Sequence, residues 1–108
     1  MRFAGTWHIT DMEPWDEDYL NMEEQAYIDI DERGTGEFKF GLVFGAIDGE
    51  IVKDGQTERF EFTWEGNDEC DSAAGSGWLK AQNANTLQGR ISFHMGDRST
   101  YWLVGSMR

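Results

Sequence analysis

Arg59-Phe60-Glu61-Phe62-Thr63-Trp64-Glu65 alternates without a slip between a ring and a polar side chain. Successive side chains on a strand point to opposite faces. The spacing therefore gathers Phe60, Phe62 and Trp64 on one side and Arg59, Glu61, Thr63 and Glu65 on the other. A helix would scatter the same three rings around its circumference. The stretch reads as a strand with one face on a core and one in water, which is the habit of antiparallel sheet.

The same period extends in both directions. Upstream, Asp54-Gly55 is the sharpest hairpin signal in the chain and favours a type I′ turn. Before it, Phe38, Phe40, Leu42 and Phe44 share one phase, and a break at Gly45 leads to Ile47, Gly49 and Ile51. Ala26, Ile28 and Ile30 alternate with Tyr27, Asp29 and Asp31, and Gly34-Thr35-Gly36 makes the turn. The first run sets Phe3, Trp7 and Ile9 against Thr6, His8 and Thr10. Downstream, Gly66 to Ser76 is polar, acidic and small and reads as a loop, with Gly75-Ser76-Gly77 as a flexible entry to the next strand. Gly77 to Gln82 carries Trp78 and Leu79. Asn83-Ala84-Asn85 turns into a run with Leu87, Gly89, Ile91 and Phe93 on one face, and Met95-Gly96-Asp97 turns again. The last run sets Tyr101 and Leu103 against Trp102 and Val104. One segment departs from period two: Trp15, Tyr19 and Met22 stand at helical spacing, Pro14 suits a first helical position, and acids crowd the first turn.

These runs predict an all-β protein of about eight antiparallel strands with one short helix after the first. The 108 residues form a single domain over 1–108. Consecutive short turns favour an up-and-down barrel, whose closure removes the exposed edges that invite aggregation. Five Trp, three Tyr and seven Phe supply the buried area. Phe38, Phe40, Phe44, Phe60, Phe62, Trp64 and Phe93 are expected to fill the interior, because eight strands enclose little more room than side chains occupy. Trp102 and Val104, with Val43 and Ile47, form an off-phase apolar set that needs a cover. Either the Trp15–Met22 segment packs there or a second copy does, which makes a homodimer through Trp102 and Val104 an expectation.

Twenty-one Asp and Glu against nine Lys and Arg give a net charge of −12. Holding nucleic acid by its phosphates needs clustered bases, and here they are scattered singly along the chain, so no nucleic-acid partner is expected. An anionic membrane surface would repel the chain likewise, and no apolar run reaches the length of a span. A single cysteine, Cys70, cannot close an internal disulfide, which fits a reducing cytoplasm. No glycine-rich phosphate cradle precedes a helix, Gly-x-Ser-x-Gly is absent, and no cofactor is implied.

Two acidic clusters are the candidates for chemistry. One is Glu13, Asp16, Glu17 and Asp18 with Glu23 and Glu24; the other is Glu65, Asp68, Glu69 and Asp71. Dense carboxylates suit a hard cation, with Asp16, Asp18, Glu65 and Asp68 as candidate metal ligands or as an acid–base pair. Solvated acids on exposed loops account for both clusters more simply. Asp29-Ile30-Asp31-Glu32-Arg33-Gly34 begins like a calcium loop but puts Arg33 at a ligand position and Phe40 where the bidentate Glu belongs. His8, His94 and Cys70 are too far apart in sequence for a zinc motif. Cys70 sits among Asp68, Glu69 and Asp71, and a structural or incidental role is expected for it rather than that of a nucleophile.

Gly5-Thr6-Trp7 resembles the Gly-x-Trp of calycin-type barrels, the lipocalin and avidin superfamily, where a Trp near the barrel floor packs under a basic residue from near the last strand. The resemblance implies that part for Arg98 or Arg108. A longer set of pieces is similar to a group of short bacterial proteins of uncharacterised function. They are Trp15-Asp16-Glu17-Asp18-Tyr19, Gly36-Glu37-Phe38-Lys39-Phe40-Gly41, Trp64-Glu65-Gly66-Asn67-Asp68-Glu69, Gly75-Ser76-Gly77-Trp78 and Ile91-Ser92-Phe93-His94-Met95-Gly96-Asp97. That likeness brings no activity, substrate or cofactor with it.

The functional expectation is a non-enzymatic cytosolic barrel that binds a small apolar or aromatic molecule or another protein. Trp15, Tyr19, Trp64 and Trp78 are the candidate contacts. The alternatives are a carboxylate- or metal-assisted enzyme using the acidic loops, and an acidic mimic of a polyanion that occupies a basic protein.

Overall fold

The computed structural model describes residues 3–12, 19, 21–22, 25–83, 85–96 and 98–105. Eight strands run in chain order: β1 (Gly5–Met12), β2 (Tyr27–Ile30), β3 (Thr35–Phe40), β4 (Val43–Asp54), β5 (Thr57–Asp68), β6 (Asp71–Asn83), β7 (Thr86–Phe93) and β8 (Arg98–Gly105). Each pairs antiparallel with the next, and β8 returns to β1, so the sheet is a closed up-and-down barrel with no free edge. The all-β barrel read from the alternation is thus the observed architecture. The described elements are all strands, and Tyr19, inside the span expected to be helical, is in helical conformation. The helix expected over Trp15–Met22 lies outside the described residues except for Tyr19, Asn21 and Met22, where the Met22 N–H donates to the Tyr19 carbonyl at 3.2 Å.

The interior is filled. Phe3, Trp7, Phe38, Phe40, Phe60, Phe62, Trp64 and Tyr101 are buried together with aliphatic side chains from β1, β2, β4, β6, β7 and β8. Trp64 meets Phe38 and Phe93 edge-on, each at a ring separation of 5.1 Å, the arrangement that sets the positive edge of one ring against the negative face of another. Large and small alternate across the strands: Phe38 faces Gly45, Trp64 faces Gly75, Phe62 lies between Gly49 and Gly77, and Tyr101 faces Gly89. A ring on one strand occupies the room that its neighbour lacks, which is how a narrow barrel accommodates so many aromatics.

Four expectations fail in whole or in part. Phe38, Phe40, Leu42 and Phe44 are not one strand: Phe40 pairs with Val43 across a two-residue turn, Gly41–Leu42. Gly41 takes φ +55, open to glycine at little strain, and a Cβ there would fall 2.2 Å from the Tyr19 ring. The turn inverts the phase, so Phe44 is 38% exposed while Val43 and Ile47 are buried, the reverse of the predicted assignment. The hairpin signalled by Asp54-Gly55 is present and joins β4 to β5, but its turn is centred one residue later, on Gly55–Gln56, with Asp54 paired to Thr57 and φ +67 at Gly55. The stretch Gly66 to Ser76 is no loop: β5 runs on to Asp68, β6 begins at Asp71, and only Glu69–Cys70 turn. Gly75-Ser76-Gly77 accordingly lies within β6, laddered to β5 and β7, and is no flexible entry to it.

Candidate functional site

Because the interior is packed, open space lies on the outer wall. One groove of about 650 Å³ crosses β4 to β8 and includes Asp48, Glu61, Ser76, Trp78, Arg90 and Arg98 in its lining. It continues along β5 and β6 past Ala46, Thr63, Ala74 and Ser92 towards His94. The groove exists because the outward residues along its floor are small, while Trp78, Arg90 and Glu61 rise beside them.

Register brings these side chains together. Trp78 of β6 stands directly between Glu61 of β5 and Arg90 of β7. Ser92 pairs with Arg98, and Arg90 with Thr100, so the two arginines are diagonal neighbours. Such neighbours sit roughly 7–8 Å apart on one face of a sheet. The Lys80 ammonium lies 5.5 Å over the Trp78 ring, a cation–π contact that holds positive charge against the indole. Arg59 pairs with Glu61, two residues along the same strand and on the same face. Neither Arg90 nor Arg98 has an ion-pair or hydrogen-bond partner among the described residues.

Of the sequence-predicted contacts, Trp78 is the one on this groove's outer surface. Trp64 points inward, 3% exposed, with its Nε1–H donating to the Ser92 carbonyl at 3.3 Å. Tyr19 is half-buried at the end of the barrel, packed against the core beside the Gly41–Leu42 turn, where its hydroxyl oxygen accepts from the Leu42 N–H at 3.5 Å. Trp15, Asp16 and Asp18 lie outside the described residues. Glu65 and Asp68 are both exposed but three positions apart on one strand, an odd spacing that sends them to opposite faces of β5. Among the described residues no three His, Cys, Asp or Glu side chains converge as a metal site would need. His94 is exposed after β7 and Cys70 at the tip of the β5–β6 hairpin. Trp102 and Val104 are 38% and 41% exposed on the outer face of β8.

Asp31, the first acid of the calcium-like stretch that the structure gives a clear role, closes its own turn. Oδ1 accepts from the Arg33 and Thr35 N–H groups at 2.8 and 3.1 Å, and Oδ2 accepts from the Thr35 hydroxyl at 2.7 Å. These bonds favour the ionised carboxylate, led by the one from the Thr35 side chain, and hold its pKa below the ordinary aspartate value. Trp7 donates its Nε1–H to the Phe3 carbonyl and faces Gly105 across the β1–β8 ladder. Arg98 stands at the opposite end of β8, on the groove, and Arg108 lies outside the described residues.

Sequence reasoning missed the grouping of Lys80, Arg90 and Arg98, which sit singly in the chain and meet only through the β6–β7–β8 register. One signal was available: twenty of the twenty-one acids precede Ser72, and only Asp97 follows. Ser72 to Arg108 therefore holds four bases, Lys80, Arg90, Arg98 and Arg108, against one acid. The fold turns that asymmetry along the chain into a wall of the barrel. No helix among the described residues is long and apolar enough to cross a membrane. No family model, curated protein or solved structure matches this chain.

Proposed function

We propose that the protein is a non-enzymatic cytosolic binding module that uses its barrel as a filled scaffold and takes its ligand on the outer wall of β6–β8. The observation that carries this reading is the groove around Trp78, where an indole, two arginines without a described partner and small hydroxyl side chains share one face. A filled interior supports the same placement, since ligand sites need concave space and a few convergent polar groups. Cys70, exposed and free at a hairpin tip, supports a reducing compartment.

A fragment screen read by amide ¹H–¹⁵N spectra tests the placement. Bound aromatic fragments are expected to shift the amides of Ser76, Trp78, Arg90 and Ser92 and to leave Phe38, Phe60 and Leu103 unmoved. Shifts concentrated on those three interior residues would place the ligand inside the barrel and end the outer-wall reading.

The other end of β8 supports self-association. Trp102 and Val104 present apolar surface side by side along one outward phase, and a two-fold interface would bury it against itself. Sedimentation at micromolar concentration is expected to give a dimer that Trp102→Glu converts to monomer. A wild-type protein that is already monomeric there removes the interface.

A further inference from the structure

Resting on the outer-wall reading, we infer that the Trp78 groove recognises a small planar organic anion. Its ring would lie against the indole, and its carboxylate, sulfonate or phosphate on Arg90 and Arg98. Two independent features converge on that chemistry. The first is charge: in a chain of net charge −12, β6 beyond Asp71, β7 and β8 present Lys80, Arg90 and Arg98 outward and no acid among the described residues. The second is register: Arg90 is the direct cross-strand neighbour of Trp78, and Arg98 is one diagonal step further. A ring stacked on the indole therefore carries its substituent to where two guanidinium forks can take anionic oxygens, each by paired N–H donors. Ser76 and Ser92, opposite one another beneath them, add hydroxyl donors.

The opposite side of the same groove limits the size of the ligand. Asp48 and Glu50 of β4 line it, and Glu61 of β5 is already engaged by Arg59. Screening length at physiological salt is about 8 Å, so an anion confined to β6–β8 is largely shielded from β4 while a polyanion running across the groove is not. Nucleic acid, which pairs bases on aromatic platforms with a continuous basic track, is disfavoured on that ground.

The full chain is titrated with 2-naphthoate and separately with uncharged 2-naphthamide, following amide shifts at about 50 and about 300 mM NaCl. Naphthoate is expected to move the amides of Trp78, Arg90 and Arg98 and to bind at least about tenfold more tightly than the amide, with only naphthoate weakened by salt. The double variant Arg90→Gln/Arg98→Gln is expected to erase that preference and still bind both probes weakly, whereas Lys53→Gln on β4 leaves it intact. Equal affinities for the two probes, with the same amides moving, overturn the anion assignment and leave the outer-wall reading standing. Shifts absent from β6–β8 overturn both. A short oligothymidylate that binds more tightly than naphthoate overturns the restriction to a small anion.

Discussion

Gly45→Ala is expected to lower stability by about 2–3 kcal/mol, the upper part of the range for forcing extra volume into a packed core. In a domain of this size that corresponds to a fall in Tm of roughly 10–20 °C. A Cβ at this position would stand 2.5 and 2.6 Å from Cε2 and Cζ of Phe38 and 2.8 Å from Cε3 of Trp64. Both neighbours are rings held by other rings: Phe38 meets Trp64 edge-on and stacks on Phe40, and Trp64 meets Phe93. Neither can swing aside without disturbing the cluster. Phe38→Leu removes the two closest atoms and on its own is expected to cost about 1–2 kcal/mol, less than full truncation of a buried Phe. Combined, the two substitutions are expected to cost less than their sum by at least about 1 kcal/mol, because one supplies the room that the other needs. Urea denaturation of the four proteins measures the cycle. Additivity within about 0.5 kcal/mol would show that Gly45 is required for some reason other than the Phe38 ring.

The same pair explains what was legible in the sequence. Wherever apolar residues alternate between clear turns, as at Ile28–Ile30, Phe60–Trp64, Leu87–Ile91 and Tyr101–Leu103, the buried face is the predicted one. The reading fails where a turn carries no polar marker. Gly41–Leu42 interrupts an apolar run with one glycine and one leucine, so the alternation through Phe38, Phe40, Leu42 and Phe44 looks continuous, whereas the chain has reversed and Phe40 and Val43 are partners. A shift of one position exchanges the faces, and Phe44, Val43 and Ile47 follow from that single slip. The extension of β5 and β6 past Trp64 failed to register for a different reason. Gly66 to Ser76 offers no apolar period because its side chains are small or exposed, and its order comes from backbone ladders to β4 and β7 that no local pattern encodes. The candidate site depends on register in the same way. Trp78 was identifiable as an aromatic near polar neighbours, but Arg90 and Arg98 become its neighbours only once three strands are aligned.

Tyr101→Phe is expected to stabilise the protein by about 1 kcal/mol at neutral pH, an uncommon sign for a core substitution. The Tyr101 side chain is 1% exposed, its ring packs over Gly89, and its hydroxyl is buried with no hydrogen-bond partner among the described residues. A buried hydroxyl that has left water without gaining a partner is a standing cost, and phenylalanine keeps the ring while removing it. Burial also pushes the Tyr101 pKa well above the ordinary tyrosine value, because the phenolate cannot be solvated there. The sign of the pH dependence follows. Below about pH 10 the phenol is protonated in both folded and unfolded chains and contributes no slope. Above it the unfolded chain releases a proton that the folded barrel retains, so stability falls as pH rises, by about 1.4 kcal/mol per unit for this group. The Phe variant lacks that group, so its advantage over the wild type is expected to widen from pH 10 to pH 12 by about 2–3 kcal/mol. Urea denaturation of both proteins across that range isolates the difference from every other titrating residue they share. A variant less stable than the wild type at pH 7, with a gap that stays constant to pH 12, would mean that the hydroxyl is satisfied and its ionisation uncoupled from folding.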